Sequence, residues 1–274
     1  MTRFLRVRVL GHDVRVAVRT GTAPGPPLVL CNGIGASLDL LQPFVDMVDP
    51  RIEVVRFDVP GVGGSPTPKV PYNFAMLAWF VGTLVHRLGY DRFDALGISW
   101  GGGLAQQFAF QHPKRTGRLV LAATSAGMLM VPGDIGSISK MADPKRYIDP
   151  EFMRTNFEKL YGGETHGADG HIGRIMPPSR AGYLYQLIAM AGWTSVPFLP
   201  LIKAPTLVMM GDADRIVPLI NGKFLAGLLP NAKLEIIPGG GHLFLVSKAS
   251  IAAPKIRDFL DDVKQAAKPK RAAA

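Results

Sequence analysis

Three side chains in this sequence have the types, order and surroundings needed to break an ester by nucleophilic attack. Ser99 stands in Gly97-Ile98-Ser99-Trp100-Gly101, a G-x-S-x-G pattern, with the strand-like run FDALGI before it and the helix-like run GGLAQQFAFQH after it. A strand-to-helix turn this sharp holds its serine in strained backbone, so the flanking residues must be small. Glycines at 97 and 101–103 meet that demand. A hydroxyl is a weak nucleophile until a base takes its proton and an acid orients the base. His242, in PGGGHLF, follows the last strand-like run on a glycine-rich loop and is the natural base. His12 falls in a hairpin turn, His86 and His112 near helix ends, and His166 and His171 in a different kind of segment. The acid is expected from MMGDADRIVP, in the chain order serine, acid, histidine. Asp214 is favoured there, because it lies further into the loop and just ahead of Pro218. Asp212 is the other candidate, better placed to accept from backbone amides of the turn.

The tetrahedral intermediate of such an attack carries a negative oxygen that needs donors. One is expected from the backbone N–H of Trp100, directly after the serine. The other is expected from Ile34 in Asn32-Gly33-Ile34-Gly35, where the glycines let backbone approach a substrate oxygen. The alternative for that loop is an ordinary tight turn. Asp58-Val59-Pro60-Gly61-Val62-Gly63-Gly64-Ser65 has the glycine content of a phosphate loop but lacks its Gly-Lys-Ser/Thr, and reads as a turn. Glu164, His166, Asp169 and His171 are metal-ligand types in a polar, glycine-rich stretch, for which a metal site is not favoured. No metal and no cofactor are expected. Cys31, the single cysteine, excludes an internal disulfide and a multi-cysteine zinc site and reads as a small buried hydrophobe.

The elements that must position these groups alternate along the chain. FLRVRVLGHDVRVAVR alternates valine with arginine about Gly11-His12-Asp13, a hairpin whose arginines are expected on solvated faces. Short Val/Ile/Leu-rich runs at 26–32, 52–58, 93–99, 117–123, 204–212 and 232–238 read as buried parallel strands. Helical patterns near 73–88, 102–112, 218–229 and 247–266 lie between or after them. Strands alternating with helices imply an α/β fold around a mostly parallel sheet. The alternation stops over the region 126–200, which reads as an inserted helical cap. The division expected is therefore a core of residues 1–125 and 201–267, the cap at 126–200, and a disordered tail at 268–274.

With 274 residues, 47% hydrophobic and 19% charged, the chain is too apolar to be disordered. Its net charge of +10 admits nucleic acid, an anionic surface or an oily one as partner. The charge is partly accounted for by the hairpin and tail, and no nucleic-acid recognition motif is present, so no nucleic-acid partner is expected. The uncharged run AGYLYQLIAMAGWTSVPFLPLI is long enough to span a bilayer, but Gln186, Thr194, Ser195, Pro197 and Pro200 interrupt it, so no transmembrane segment is expected. The sequence carries no sign of a particular oligomeric state.

With the serine elbow, late aspartate and late histidine in this order, the chain resembles the α/β-hydrolase superfamily. FDVPGVGGS, GISWGGGLAQQFA, LVLAATSAGMLMVPG, DPKRYIDP, YQLIAMAGWTS and GHLFLVSKA extend the likeness to intracellular poly(3-hydroxyalkanoate) depolymerases of the medium-chain type. That resemblance implies Ser99, Asp214 and His242 as the triad and attack on a hydrophobic polyester at storage granules in the cytoplasm. Gly33, Met128 and Trp193 are the expected substrate contacts. A small-molecule carboxylesterase, a cofactor-free haloperoxidase, a C–C bond hydrolase and an inactive granule-binding protein are the alternatives.

Overall fold

A computed structural model describes residues 1–143, 145–163 and 168–266; the tail at 268–274 lies outside the described residues. Among the described residues eight strands form one sheet: β1 (Thr2–Val9), β2 (His12–Arg19), β3 (Leu28–Cys31), β4 (Val54–Phe57), β5 (Phe93–Ile98), β6 (Thr116–Ala122), β7 (Thr206–Gly211) and β8 (Ala232–Ile237). Their order is β1-β2-β4-β3-β5-β6-β7-β8, antiparallel across β1, β2 and β4 and parallel from β4 to β8. Eleven α-helices are described: α1 (Gln42–Met47), α2 (Phe74–Arg87), α3 (Trp100–Gln111), α4 (Ile135–Ala142), α5 (Lys145–Ile148), α6 (Pro150–Tyr161), α7 (Ala168–Ile172), α8 (Arg180–Met190), α9 (Leu219–Leu228), α10 (Phe244–Ser247) and α11 (Ala249–Ala266).

The two-residue period of the strands sorts the core into two layers. Val29 and Cys31 of β3, Leu119 and Leu121 of β6, and Val208 and Met210 of β7 pack with α2, α3 and α9 through Leu77, Leu84, Leu104, Phe108 and Leu225. Their strand neighbours Leu28, Leu30, Val120, Ala122, Leu207 and Met209 join Phe44, Phe244, Ala252 and Ile256 of α1, α10 and α11 in the other layer. A run such as LVLC therefore has to be apolar throughout, because both of its faces are covered.

Both strands of the hairpin form, about Leu10-Gly11 at φ 46° and 84°. Its arginines divide, which corrects the expectation that all sit on solvated faces. Arg3, Arg6 and Arg8 of the edge strand are exposed. Arg15 and Arg19 lie on β2, an interior strand, and are half-buried. Arg19 donates to the carbonyls of Val45, Val48, Asp49 and Ile52 at 2.7–2.8 Å. Arg15 forms ion pairs with Asp39 at 2.6 Å and with the fully buried Asp58 at 3.3 Å.

Between β6 and β7 the chain builds α4 to α8. Met153, Phe157, Leu160 and Tyr161 of α6 form a third apolar cluster, with Ile172, Ile175, Ile216 and Leu243 against it. The uncharged run that could have spanned a bilayer is broken in two, α8 ending at Met190 and a bridge from Thr194 to Gly127 following. Among the described residues no helix is long and apolar enough to cross a membrane.

Candidate active site

Ser99 sits between the end of β5 and the start of α3, at φ 54° and ψ −123°. A non-glycine residue at positive φ is strained, and here the surrounding bonds fix it. Its N–H donates to Ala122 at 3.0 Å and its carbonyl accepts from the Thr124 hydroxyl at 2.7 Å. Gly101 is required by close approach: a Cβ there would overlap the carbonyl oxygen of Cys31 on β3. The serine hydroxyl is thereby raised at the C-terminal edge of the sheet.

The structure brings Ser99, His242 and Asp214 together. His242 Nε2 lies 2.9 Å from Ser99 Oγ, and His242 Nδ1 lies 2.9 Å from Asp214 Oδ2. Asp214 follows β7 and is buried; its Oδ1 accepts from Ile216 N–H at 2.8 Å and Val217 N–H at 2.9 Å. Asp214 can only accept, so its contact assigns the His242 proton to Nδ1 and leaves Nε2 to accept from the serine. Asp212 is exposed and accepts instead from Gly239 N–H at 2.6 Å, within the turn. Of the other histidines, His12 opens β2, His86 pairs with Asp91 at 3.3 Å and His112 ends α3. Glu164 and His166, two of the four metal-ligand types, lie outside the described residues. Burial pushes the Cys31 thiol up to about 12, which leaves it protonated at neutral pH.

Trp100 is the first residue of α3, where an N–H has no partner within its own helix. Nothing among the described residues accepts from Ile34 N–H. The peptide following Ile34 is clamped from two sides by helices from between β6 and β7. Tyr147 of α5 donates its hydroxyl to the Ile34 carbonyl at 2.7 Å, and Gln186 of α8 accepts from Gly35 N–H at 2.7 Å. The main-chain carbonyl of Gln186 also accepts the Trp100 indole N–H at 2.9 Å. One buried residue of α8 thus touches both stretches of chain that carry the candidate donors.

Helix α6 contributes a second connection. The Tyr161 carbonyl accepts His242 N–H at 2.7 Å, and the Tyr161 ring stacks on the imidazole with centroids 6.4 Å apart. Gly241 closes against the Gly162 carbonyl, where a Cβ would overlap it. Sequence reasoning missed Tyr147, Tyr161 and Gln186. Only Gln186 left a trace, as an amide inside an otherwise apolar run.

Two cavities meet at Ser99. The larger, about 250 Å3, is apolar, walled by Phe74, Trp100, Met130, Leu187, Met190 and Trp193. Trp193 is held there by its indole N–H to Gln107 at 2.7 Å and by its ring against Phe74. Met128, expected as a substrate contact, is 60% exposed and outside this lining. A turn closed by Met130 N–H to Gly127 at 3.0 Å points residue 128 outward and residue 130 in. The smaller cavity, about 50 Å3, is lined by Gly33, Ile34, Ser99, His242 and residues from between β6 and β7, among them Arg146, Tyr147 and Tyr161.

Three comparisons bear on this arrangement. A model of the α/β hydrolase fold family matches residues 26–162 and 179–249. The chain is 44% identical over 268 residues to a poly(3-hydroxyalkanoate) depolymerase of Ectopseudomonas oleovorans, across 96% of this chain and 94% of that protein. It is 31% identical over 242 residues to a 2-hydroxy-6-oxononadienedioate/2-hydroxy-6-oxononatrienedioate hydrolase of Comamonas testosteroni, across 80% and 82% of the two. Among solved structures, an esterase from Exiguobacterium antarcticum superposes with a TM-score of 0.81 at 18% identity, covering 94% of this chain and all of that one.

Proposed function

The chain belongs to the family of α/β hydrolase fold proteins, and from that premise we propose that it is a serine esterase cleaving the ester bonds of poly(3-hydroxyalkanoate). The observation that carries the reading is the hydrogen-bonded chain Ser99–His242–Asp214 opening on an apolar cavity of about 250 Å3. The polyester as substrate is supported by the 44% identity to a depolymerase, which extends over the inserted helices as well as the sheet.

In this mechanism His242 Nε2 takes the hydroxyl proton as Ser99 Oγ bonds to the ester carbonyl carbon. Asp214 holds the imidazole in the required tautomer and stabilises its positive charge without taking the proton. The N–H groups of Ile34 and Trp100 receive the oxyanion, whose charge is absent from the ground-state ester. Collapse breaks the C–O bond, and the alcohol end of the chain leaves with the proton from His242. Water then repeats the sequence on the acyl-serine and frees the acid.

The region 126–200 serves in this reading as a cap on a core formed by 1–125 and 201–267. Met128, Leu129, Ile135, Leu184 and Ile188 expose apolar side chains on that region, as a surface meeting a hydrophobic polymer would. The net charge of +10 favours adhesion to an anionic coat on a storage granule in the cytoplasm. Incubation of dispersed polymer with the parent chain and Ser99→Ala tests the assignment: acid release by the parent alone is expected, and equal release by both rejects it. A parent that turns over p-nitrophenyl esters but leaves polymer intact is a small-molecule esterase instead.

A further inference from the structure

Arg146 of α5 is a cation with no part in the mechanism above. It is 4% exposed and stands in DPKRYIDP, a run whose chemistry the triad does not use. Its Nη2 donates to the hydroxyls of Tyr147 and Tyr183 and lies 3.4 Å from the Ile34 carbonyl oxygen. The Tyr161 hydroxyl is hydrogen-bonded to the guanidinium as well. The guanidinium carbon sits 4.1 Å from the ring centroid of Tyr147 and 5.6 Å from that of Tyr183. One side chain therefore gathers three tyrosines, from α5, α6 and α8. Burying a guanidinium is costly, and an apolar side chain of like volume often packs such a place as stably. Stability alone gives a cation little reason to be here.

Each tyrosine leads to a part of the site. Tyr147 donates its hydroxyl to the Ile34 carbonyl at 2.7 Å. Tyr161 accepts His242 N–H on its main-chain carbonyl at 2.7 Å and stacks its ring on the imidazole. Tyr183 precedes Gln186 on α8, whose side chain accepts Gly35 N–H. These pieces do not hold their own positions. Gly35 has φ 67°, a region glycine enters without strain, so the backbone alone leaves the orientation of its peptide free. Helix α5 has four residues, too few to be stable in isolation.

We propose that Arg146 is a positioning residue: its guanidinium sets Tyr147, Tyr161 and Tyr183 against one another and through them holds the Ile34 loop and the His242 loop in one arrangement about Ser99. The inference rests on the serine-esterase reading above and is independent of which ester is cleaved. Arginine suits the place because its planar fork bonds several hydroxyls in fixed directions, which the single ammonium of a lysine does not.

The test is steady-state kinetics on a soluble p-nitrophenyl ester, beside a thermal melt. The chains compared are the parent, Ser99→Ala, Arg146→Met, Tyr147→Phe and the double variant Arg146→Met/Tyr147→Phe. Arg146→Met should lower kcat about 100-fold, as loss of an oxyanion donor does, and leave KM within about twofold. Tyr147→Phe should lower kcat about tenfold. The double variant should fall no more than about threefold below Arg146→Met, because residues that act through one contact are not additive. A folded Arg146→Met with kcat within about twofold of the parent overturns the inference, whatever its Tm. So does a double variant whose loss is the product of the single losses, since the two residues would then act independently. If Arg146→Met does not fold, Arg146→Lys decides: a loss of kcat of about tenfold in a folded chain supports the inference, and one under about twofold overturns it. Turnover retained by Ser99→Ala would reject the serine-esterase reading itself, and the inference with it.

Discussion

Replacing Gln186 with leucine separates the candidate oxyanion loop from the helix that holds it. Leucine has nearly the same volume, and the main-chain carbonyl that receives the Trp100 indole remains. What is lost is the side-chain oxygen 2.7 Å from Gly35 N–H. Gly35 is buried, so its N–H is left without an acceptor and without water, at a cost of about 1–3 kcal/mol. Each kcal/mol lowers Tm by about 2–4 °C in a chain near this size. The catalytic effect is separate. Removing one oxyanion donor outright costs about 10²–10³-fold in kcat. Here the Ile34 N–H is displaced rather than removed, since Tyr147 still holds the following carbonyl, so kcat should fall about 10–100-fold. KM should change little, because the oxyanion exists only in the transition state. Steady-state kinetics on a p-nitrophenyl ester, beside a thermal melt, reads both quantities. A variant whose Tm drops while kcat stays within twofold of the parent would show that the clamp supports only the fold, and refute the reasoning.

Asp214→Asn should lower kcat by about 10⁴-fold with little loss of secondary structure, because an amide can present its N–H to His242 and impose the wrong tautomer. Asp212→Ala should instead cost about 1 kcal/mol in urea denaturation and leave kcat near that of the parent, since it removes only the bond to Gly239. Gly101→Ala should yield no soluble folded protein on expression, its Cβ having no space beside the Cys31 carbonyl. His171 is neutral in the fold down to about pH 4 but protonates near 6.5 once unfolded, so its contribution to stability is full above 6.5 and lost as pH falls towards 4. Between pH 7 and 5 the parent should therefore lose about 2 kcal/mol more than His171→Phe, read from urea midpoints at the two values.

The strands were legible because every position of β3 to β7 is buried, which draws mainly apolar residues there, with Arg56, Asp94 and Arg118 the charged exceptions. Ser99, Asp214 and His242 were legible because each stands at a strand end among residues chosen for backbone geometry rather than for packing. Arg15 and Arg19 were misjudged because alternation within a strand tells which residues share a face but not whether another element covers that face. Met128 and Met130 have the same chemistry two residues apart, and a turn rather than a strand decides which one points inward. Tyr147, Tyr161 and Gln186 act across 81 to 151 residues of chain, on partners at Ile34, His242 and Gly35. No local pattern encodes contacts of that span.

The fit of Tyr161, Gly162 and Gly163 against the glycines preceding His242 has a consequence for inheritance and for engineering. A Cβ at Gly163 would overlap the Gly241 amide, and one at Gly241 the Gly162 carbonyl, so the two stretches constrain each other residue by residue. Substitutions in either stretch must therefore be matched in the other, and the pair should drift together among descendants. A chimaera that imports foreign helices between β6 and β7 to alter the range of esters accepted must carry its donor's counterpart of the 238–242 loop with them. Transplanted alone, the helices would reach the sheet and leave His242 without its seat.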